Sequence, residues 1–363
     1  MDKFGYMEKY NYEQLCFFNH TPTGLKAIVC IHNTVLGPAL GGTRVWNYAT
    51  EEEAAEDVLR LGRGMTYKSA LAGLALGGGK AVIIGDAKEI RKNPTKREAF
   101  WRAFGRYVEG LNGRYITAED VNTSTQDMVY VNMETSNVVG LPGRSGDPSP
   151  YTALGVFKSM QACCKHVYGD SSIKGKTVAV QGVGNVGYYL CKLLHEEGAK
   201  LIITDIPEAQ ERIDRVVNEF GATAISKDAI YNVECDIYSP NALGAVLNDS
   251  TVPNLKCKIV CGGANNQLKD PAVHGKALKD KGIAYAVDYL ANAGGVINVF
   301  HELGESGYHE EASLRDIERI YNRMLDILRI SDETGQLTYE TADKMAEDRI
   351  EAVKNMKSIM TGR

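Results

Sequence analysis

The sequence predicts an α/β protein of two domains. Three observations carry that reading. The chain has 363 residues, and at roughly one domain per 150 residues this makes two cores, each large enough to be stable. Short apolar, β-rich runs alternate with amphipathic stretches along most of its length, the order that folds into sheets flanked by helices. Glycine, proline and small polar residues crowd into Gly140-Leu-Pro-Gly-Arg-Ser-Gly-Asp-Pro-Ser-Pro150, which marks a linker. The domains are therefore expected at 1–140 and 141–335, with a C-terminal helix over about 336–363 packing back on the first.

In the first domain Leu25 to Ile31 reads as a strand. Thr50-Glu-Glu-Glu53 is a capping box, and the helix it opens carries Ala54, Val58, Leu61 and Met65 on one stripe and runs toward Tyr67-Lys68. Leu76-Gly-Gly-Gly-Lys80 leads into the apolar strand Ala81-Val-Ile-Ile84. A second capping box, Thr95 with Glu98, starts a helix buried through Phe100, Phe104, Val108 and Leu111. Tyr115-Ile-Thr-Ala-Glu-Asp-Val121 is a strand ending in two acids.

The second domain opens with a helix of about 15 residues from Thr152. Strands follow at Thr177 to Gln181, Leu201 to Thr204 and around 223–226, 235–239 and 257–261, with helices between them, including one near Glu208 to Phe220. That alternation implies a parallel, doubly wound sheet. Glu311 to Met360 reads as two amphipathic helices broken near Thr334-Gly335.

Gly182-Val-Gly184-Asn185-Val186-Gly187 lies between the strand Thr177-Val-Ala-Val-Gln181 and a helical stretch. Gly182 makes the tight turn, Gly184 admits a pyrophosphate to the positive end of the helix, and Gly187 lets helix and strand pack closely. Asp205 ends the next strand, about 20 residues on, where a ribose 2′-hydroxyl is bound. The spacing fits a Rossmann dinucleotide site; the other reading is a plain glycine turn with a helix-capping Asp. No basic residue adjoins Asp205-Ile206-Pro207 to neutralise a 2′-phosphate, which favours NAD over NADP.

Lys and Arg number 41 against 46 Asp and Glu, a net charge of −5 that offers no footprint for nucleic acid. No apolar run approaches the ~18 residues of a membrane span, and the first residues lack a signal peptide. A cytoplasmic protein with a small-molecule ligand is the expectation. Eight cysteines occur without Cys-x-x-Cys and read as reduced thiols, and seven scattered histidines give no metal-ligand spacing.

Gly77-Gly-Gly-Lys80-Ala81 fails as a phosphate loop, because position 74 is Leu and position 81 is Ala. It instead fixes Lys80 at the start of a strand behind glycines, with Lys68 at the end of the preceding helix. Two lysines facing one site would depress each other's pKa and make one a usable base. The competing reading is a pair of solvated surface lysines. Asp120, at a strand C-terminus, reads as a proton carrier or as the N-cap of a helix beginning near Ser124.

Leu40-Gly-Gly-Thr-Arg44, Gly64-Met-Thr-Tyr-Lys68, Gly77-Gly-Gly-Lys80, Thr117-Ala-Glu-Asp-Val121, Gly182-Val-Gly-Asn-Val-Gly187 and Asn292-Ala-Gly-Gly-Val-Ile-Asn298 occur in this order. Together they resemble the glutamate/leucine/phenylalanine/valine dehydrogenases over nearly the whole chain, most of all the leucine-type members. The resemblance implies an N-terminal α/β substrate domain and a C-terminal Rossmann domain separated by a cleft. It implies an NAD-dependent exchange of an L-amino acid with its 2-oxo acid and ammonia, in a homo-oligomer that is often an octamer.

Residue by residue, the resemblance makes Lys68, helped by Asn266, the partner of the substrate carboxylate. It makes Lys80 the lysine that activates water, Asp120 the acid/base at the amino group, Thr152 a contact of the nicotinamide amide, and Asn241 a cofactor-binding residue. Gly41 and Gly42 join the substrate site. Leu40 and Val299 stand where glutamate-specific members carry lysine and serine, and would leave a γ-carboxylate unpaired. Ala118 and Val296 match branched-chain members. Val139, Asn241, Asn122 and Leu290-Ala291 depart from the leucine-type pattern. An aromatic amino acid dehydrogenase is the rival enzyme, and an inactive NAD-binding regulator would have lost Lys68, Lys80 or Asp120.

Overall fold

A computed structural model describes residues 2–304, 307–356 and 359. The last residues of the expected C-terminal helix, 357, 358 and 360–363, lie outside the described residues. The chain divides into two compact units, the described residues of Met1–Gly146, Val299–His309 and Ala346–Arg363, and those of Asp147–Asn298 and Glu310–Met345. The described residues of 299–309 thus group with the first unit, although the expected second domain, 141–335, includes them. Buried Glu302 accepts hydrogen bonds from Gly140 N (3.0 Å) and Ser145 N (3.2 Å), which fastens that segment to the Gly- and Pro-rich stretch.

The first unit contains α1 (Lys3–Tyr10), β1 (Gln14–His20), β2 (Leu25–Asn33), β3 (Ala39–Trp46), α2 (Glu51–Leu71), β4 (Gly77–Ile84), α3 (Ala87–Arg91), α4 (Pro94–Glu109), β5 (Tyr115–Glu119) and α5 (Thr125–Asn132). Its sheet runs β1-β2-β4-β3-β5, antiparallel on the β1–β2–β4 side and parallel from β4 through β3 to β5. Alternation along β2 and β4 separates two cores. Ala27, Val29, Ile31, Ala81 and Ile83 meet Phe100, Trp101, Phe104 and Met128 of α4 and α5, whereas Ile28, Cys30 and Val82 meet Ala54, Ala55, Val58 and Leu59 of α2. Lys80 falls on the α2 side by the same alternation.

Thr50 caps α2, accepting from Glu53 N at 3.1 Å, while the Glu53 carboxylate reaches back to Ala49 N at 2.9 Å. The buried stripe of α2 differs from the expected one. Leu61 and Met65 are only half-buried, and Leu59, Gly62, Thr66 and Ser69 face the sheet instead. The cause is the glycine run: a Cβ on Gly78 would lie 2.0 Å from Thr66 N, so α2 rests backbone-on-backbone against β4 and small residues fill the contact. The cap of α4 is also corrected. Asn93 accepts from Lys96 N at 3.0 Å with Pro94 in the first turn, and Thr95 is inside the helix.

The second unit contains α6 (Ser149–Tyr168), β6 (Thr177–Gln181), α7 (Asn185–Glu196), β7 (Lys200–Thr204), α8 (Gln210–Phe220), β8 (Thr223–Ala224), β9 (Ile237–Pro240), β10 (Ile259–Val260), α9 (Pro271–Asp280), β11 (Ala284–Tyr285), α10 (Asp288–Ala291), α11 (Gly294–Phe300), α12 (Glu310–Thr334) and α13 (Thr338–Met356), the last residues of α11 and α13 belonging to the first unit. Six parallel strands run β8-β7-β6-β9-β10-β11, the doubly wound order that reverses beside β6. α6 begins at Ser149, ahead of the expected Thr152, because prolines fit the first turn of a helix. β11, with two residues, is too short to show a period.

The C-terminal part of α13 lies against α2 within the first unit. Within the first unit Arg349 donates to Ala70 O (2.7 Å) and Leu74 O (2.8 Å), closing the end of α2 with a cation. Among the described residues no helix is long and apolar enough to cross a membrane. All eight cysteines are free thiols.

Candidate active site

Strand direction gathers the charged residues of the first unit. β3, β4 and β5 run parallel, and Asp120 follows the last residue of β5. Lys80 Nζ lies 3.0 Å from Asp120 Oδ2, and Lys80 is only 6% exposed. Asp120 also accepts from Arg44 Nε at 3.3 Å. Arg44 in turn donates to Asp57 Oδ2 of α2 at 3.0 Å, and the Tyr48 hydroxyl donates to that same oxygen at 2.6 Å. A chain of alternating charge therefore runs Lys80, Asp120, Arg44, Asp57.

Burial pushes the Asp120 carboxyl upward, but Lys80 and Arg44 together hold it below the ordinary carboxylate range. Because its folded value is depressed, Asp120 contributes stability above the ordinary carboxylate pKa and loses it as pH falls through the depressed value. Asp120 is not the cap of the next helix. Ser124 takes that position, accepting from Asp127 N at 3.4 Å, which leaves the Asp120 carboxylate to the two cations.

Glycines let neighbouring backbone pack closely beside this chain. A Cβ on Gly42 would approach Glu119 O to 2.6 Å and Asp120 Cβ to 2.9 Å, and one on Gly41 would meet Gly79 O at 1.8 Å. Leu40 pairs with Gly78 and Ile116, and Ala118 pairs with Gly42, so Leu40 and Ala118 flank the glycines on neighbouring strands. Lys68 stands half-buried on the last turn of α2, two residues beyond Thr66. Val299 is buried in the first unit, and Val296 belongs to the second.

In the second unit the fingerprint forms as spaced. Gly182 takes φ +94°, and a Cβ on Gly187 would sit 2.1 Å from Gly182 O. α7 starts at Asn185 without a side-chain cap, leaving its first N–H groups directed outward. Over Gly184 an added Cβ would meet nothing nearer than Arg212 at 3.7 Å, which is room for a phosphate. Asp205 Oδ2 accepts from Val183 N at 2.8 Å and Oδ1 from Ile206 N at 2.7 Å, fixing the acid at the turn. These features fit a dinucleotide.

Asn241, after β9, sits where the strand order reverses. Its Oδ1 accepts from Gly263 N at 2.8 Å, its Nδ2 donates to Ser239 O at 3.0 Å, and a Cβ on Gly263 would lie 3.0 Å from Val186 Cγ1. Thr152 Oγ1 donates to Pro148 O at 3.0 Å and faces the backbone of Gly295. Asn266 takes φ +52°, and next to it Asn292 Nδ2 bridges Gly263 O (3.2 Å) and Asn265 Oδ1 (2.7 Å).

Sequence reading missed Arg44, Asp57 and Tyr48 as members of the site, and Arg212 beside Gly184. Arg44 was inside a quoted motif, and its place two positions beyond Gly42 on one strand is the signal that aligns it with Asp120. Asp57 and Arg212 leave no such trace, since only the fold brings them near. Among the described residues no three His, Cys, Asp or Glu side chains form a metal site.

A parallel sheet with an uncapped glycine turn, joined to a unit carrying a buried Lys–Asp pair, defines a dinucleotide-dependent oxidoreductase class. Residues 13–137 match the model of the Glu/Leu/Phe/Val dehydrogenase dimerisation domain, and 143–206 and 202–350 that of the Glutamate/Leucine/Phenylalanine/Valine dehydrogenase domain. The chain is 56% identical over 361 residues to leucine dehydrogenase of Thermoactinomyces intermedius, spanning 99% of this chain and 96% of that one. It is 43% identical over 364 residues to phenylalanine dehydrogenase of the same organism, spanning 99% and 97%. The crystal structure of L-tryptophan dehydrogenase from Nostoc punctiforme superposes with a TM-score of 0.84 at 41% identity, covering 97% of this chain and 99% of that one. The protein belongs to the glutamate/leucine/phenylalanine/valine dehydrogenase family and is an amino acid dehydrogenase.

Proposed function

We propose that this protein interconverts branched-chain aliphatic L-amino acids (leucine, valine and isoleucine) with their 2-oxo acids and ammonia, using NAD. The observation that carries the reading is the Lys80–Asp120 pair, 3.0 Å apart and set beside the close-packed glycine backbone of β3 and β4. NAD, when bound, supplies the hydride acceptor. Lys68 pairs with the substrate carboxylate, assisted by Asn266. Lys80 activates the attacking water, and Asp120 takes and returns protons at the amino nitrogen. Excluding bulk water around the buried Lys80 strengthens both interactions.

Gly182, Gly184, Asn185, Val186 and Gly187 hold the pyrophosphate, Asp205 the adenosine ribose, and Thr152 and Asn241 the nicotinamide side. Leu40 and Val299 offer no partner to an acidic side chain; Gly41, Gly42 and Ala118 of the first unit are the residues that accommodate an aliphatic side chain, and Val296 is the corresponding residue of the second. The higher identity to a leucine dehydrogenase than to a phenylalanine dehydrogenase supports the same choice. The substrate domain is 1–140 and the NAD-binding domain 141–335. The dimerisation-domain match supports a homo-oligomer, which we take to be a cytoplasmic octamer.

Initial rates with L-leucine, L-valine, L-isoleucine, L-phenylalanine and L-tryptophan, each with NAD and with NADP, test the reading. The expected order places an aliphatic substrate with NAD first in kcat/KM. Phenylalanine or tryptophan in first place would transfer the protein to the aromatic group, and no turnover with any of them would overturn the proposal.

A further inference from the structure

The Lys80–Asp120 pair does not stand in isolation, because further charged groups line up behind it. Lys80 approaches Asp120 from β4 and Arg44 from β3. Behind Arg44, on α2, stand Asp57 at 3.0 Å and Arg60, whose NH2 is 3.6 Å from Asp57. Tyr48, on the loop after β3, donates to Asp57, and β5 contributes Tyr115, whose hydroxyl is committed to Gly41 O at 2.5 Å, together with Glu119. Arg44 cannot lose its proton in the working range, so it is a fixed charge beside a group that has to change charge.

We propose that Arg44 and Asp57 are positioning residues that set the proton affinity of Asp120, Arg44 lowering it directly and Asp57 moderating Arg44 from behind. This rests on the reading of Asp120 as the acid/base. The geometry gives each residue a different sign. Arg44 stabilises the Asp120 carboxylate through space and through its Nε hydrogen bond. Asp57 shares the guanidinium through NH1, and as an anion it opposes a second negative charge at Asp120. Tyr48 fixes the Asp57 oxygen that Arg44 uses, which keeps the fork of Arg44 split between the two carboxylates.

Replacing Arg44 by Leu is expected to raise the Asp120 midpoint by about 1–2 units, and the acid limb of kcat/KM moves to higher pH with it. Asp57→Asn is expected to move both the other way. Arg44→Lys keeps the charge and is expected to restore the limb close to that of the unmodified enzyme while losing the second hydrogen bond. The readouts are pH–rate profiles and carbon-13 NMR titration of the Asp120 carboxyl, with Tm measured for each variant. Shifts of opposite sign for Arg44→Leu and Asp57→Asn support the proposal. Shifts of equal sign, or loss of kcat without movement of either limb or midpoint, overturn it. If Arg44→Leu does not fold, the direction of the Asp57→Asn shift decides. Asp120→Asn separates this inference from the reading beneath it: retention of full turnover there removes Asp120 from the chemistry, while the NMR midpoints still test the influence of Arg44 and Asp57.

Discussion

The two units build their sites by opposite means. In the second unit the proposed dinucleotide site is mostly backbone: a positive-φ glycine, an uncapped helix start and one carboxylate, all within the short stretch from Gly182 to Asp205. In the first unit the candidate site is mostly side chain, drawn from Arg44, Asp57 and Lys80 on three separate elements and Asp120 just after a fourth, and joined by ion pairs. A backbone site depends on what a glycine permits, whereas a side-chain site depends on what its neighbours leave unpaired. Substitutions should therefore fail differently in the two places.

The sharpest separation comes from Lys80→Ala. Asp120 keeps Arg44 as a partner in that variant, so the protein is expected to fold. Turnover should fall by roughly 10²–10⁴-fold, the span for losing general acid–base help, while NAD affinity stays unchanged. A turnover near that of the unmodified enzyme, or an equal loss of NAD binding measured by fluorescence titration, would erase the distinction between the sites.

A pair of glycine variants probes the other side. Gly187→Ala places a methyl 2.1 Å from Gly182 O and is expected to cost about 1–3 kcal/mol or more through forced backbone movement, read as a drop in Tm. Gly184→Ala meets nothing closer than 3.7 Å in the protein, so Tm should hold while Kd for NAD rises, since the methyl takes space meant for phosphate. Equal Tm losses in both would show that Gly184 is a packing residue.

The same contrast explains what could be read from sequence. The fingerprint was legible because its parts are contiguous and Gly182 and Gly187 answer local steric demands. Lys80 and Asp120 were legible as candidates, through a glycine run and a strand end, but not their contact, which needs β3, β4 and β5 to lie side by side. The α2 stripe was misread for a related reason. Apolar spacing favoured Leu61 and Met65, and the close approach at Gly78 selected Gly62 and Thr66 instead. Asp57 and Arg212 carried no local signal at all.

Arg212 makes the cofactor preference a finer test. Its guanidinium lies 3.7 Å from the position a Gly184 Cβ would take, and it has no ion-pair partner among the described residues. Asp205→Ala should narrow the preference of NAD over NADP by removing repulsion of a 2′-phosphate, and adding Arg212→Ala should restore part of it by removing the remaining cation. Ratios of kcat/KM for the two cofactors measure this. A ratio unmoved by Asp205→Ala would show that the acid serves only to bind Val183 N and Ile206 N.

The smallest expected effect lies away from both sites and asks whether a cap can be assigned from spacing. Asn93 and Thr95 are two residues apart, and only Asn93 accepts from a first-turn N–H, that of Lys96 at 3.0 Å. Asn93→Ala should therefore lower stability by about 0.5–2 kcal/mol, the usual cost of losing a helix N-cap. Thr95→Ala should be nearly neutral or slightly stabilising, because alanine is the better helix former at an interior position. α4 supplies Phe100, Trp101 and Phe104 to the core under the sheet, so the loss at Asn93 should appear in the unfolding of the first unit. Denaturant midpoints for the two variants measure the difference. A larger loss at Thr95 than at Asn93 would return the cap to the Thr95–Glu98 spacing and move the start of α4.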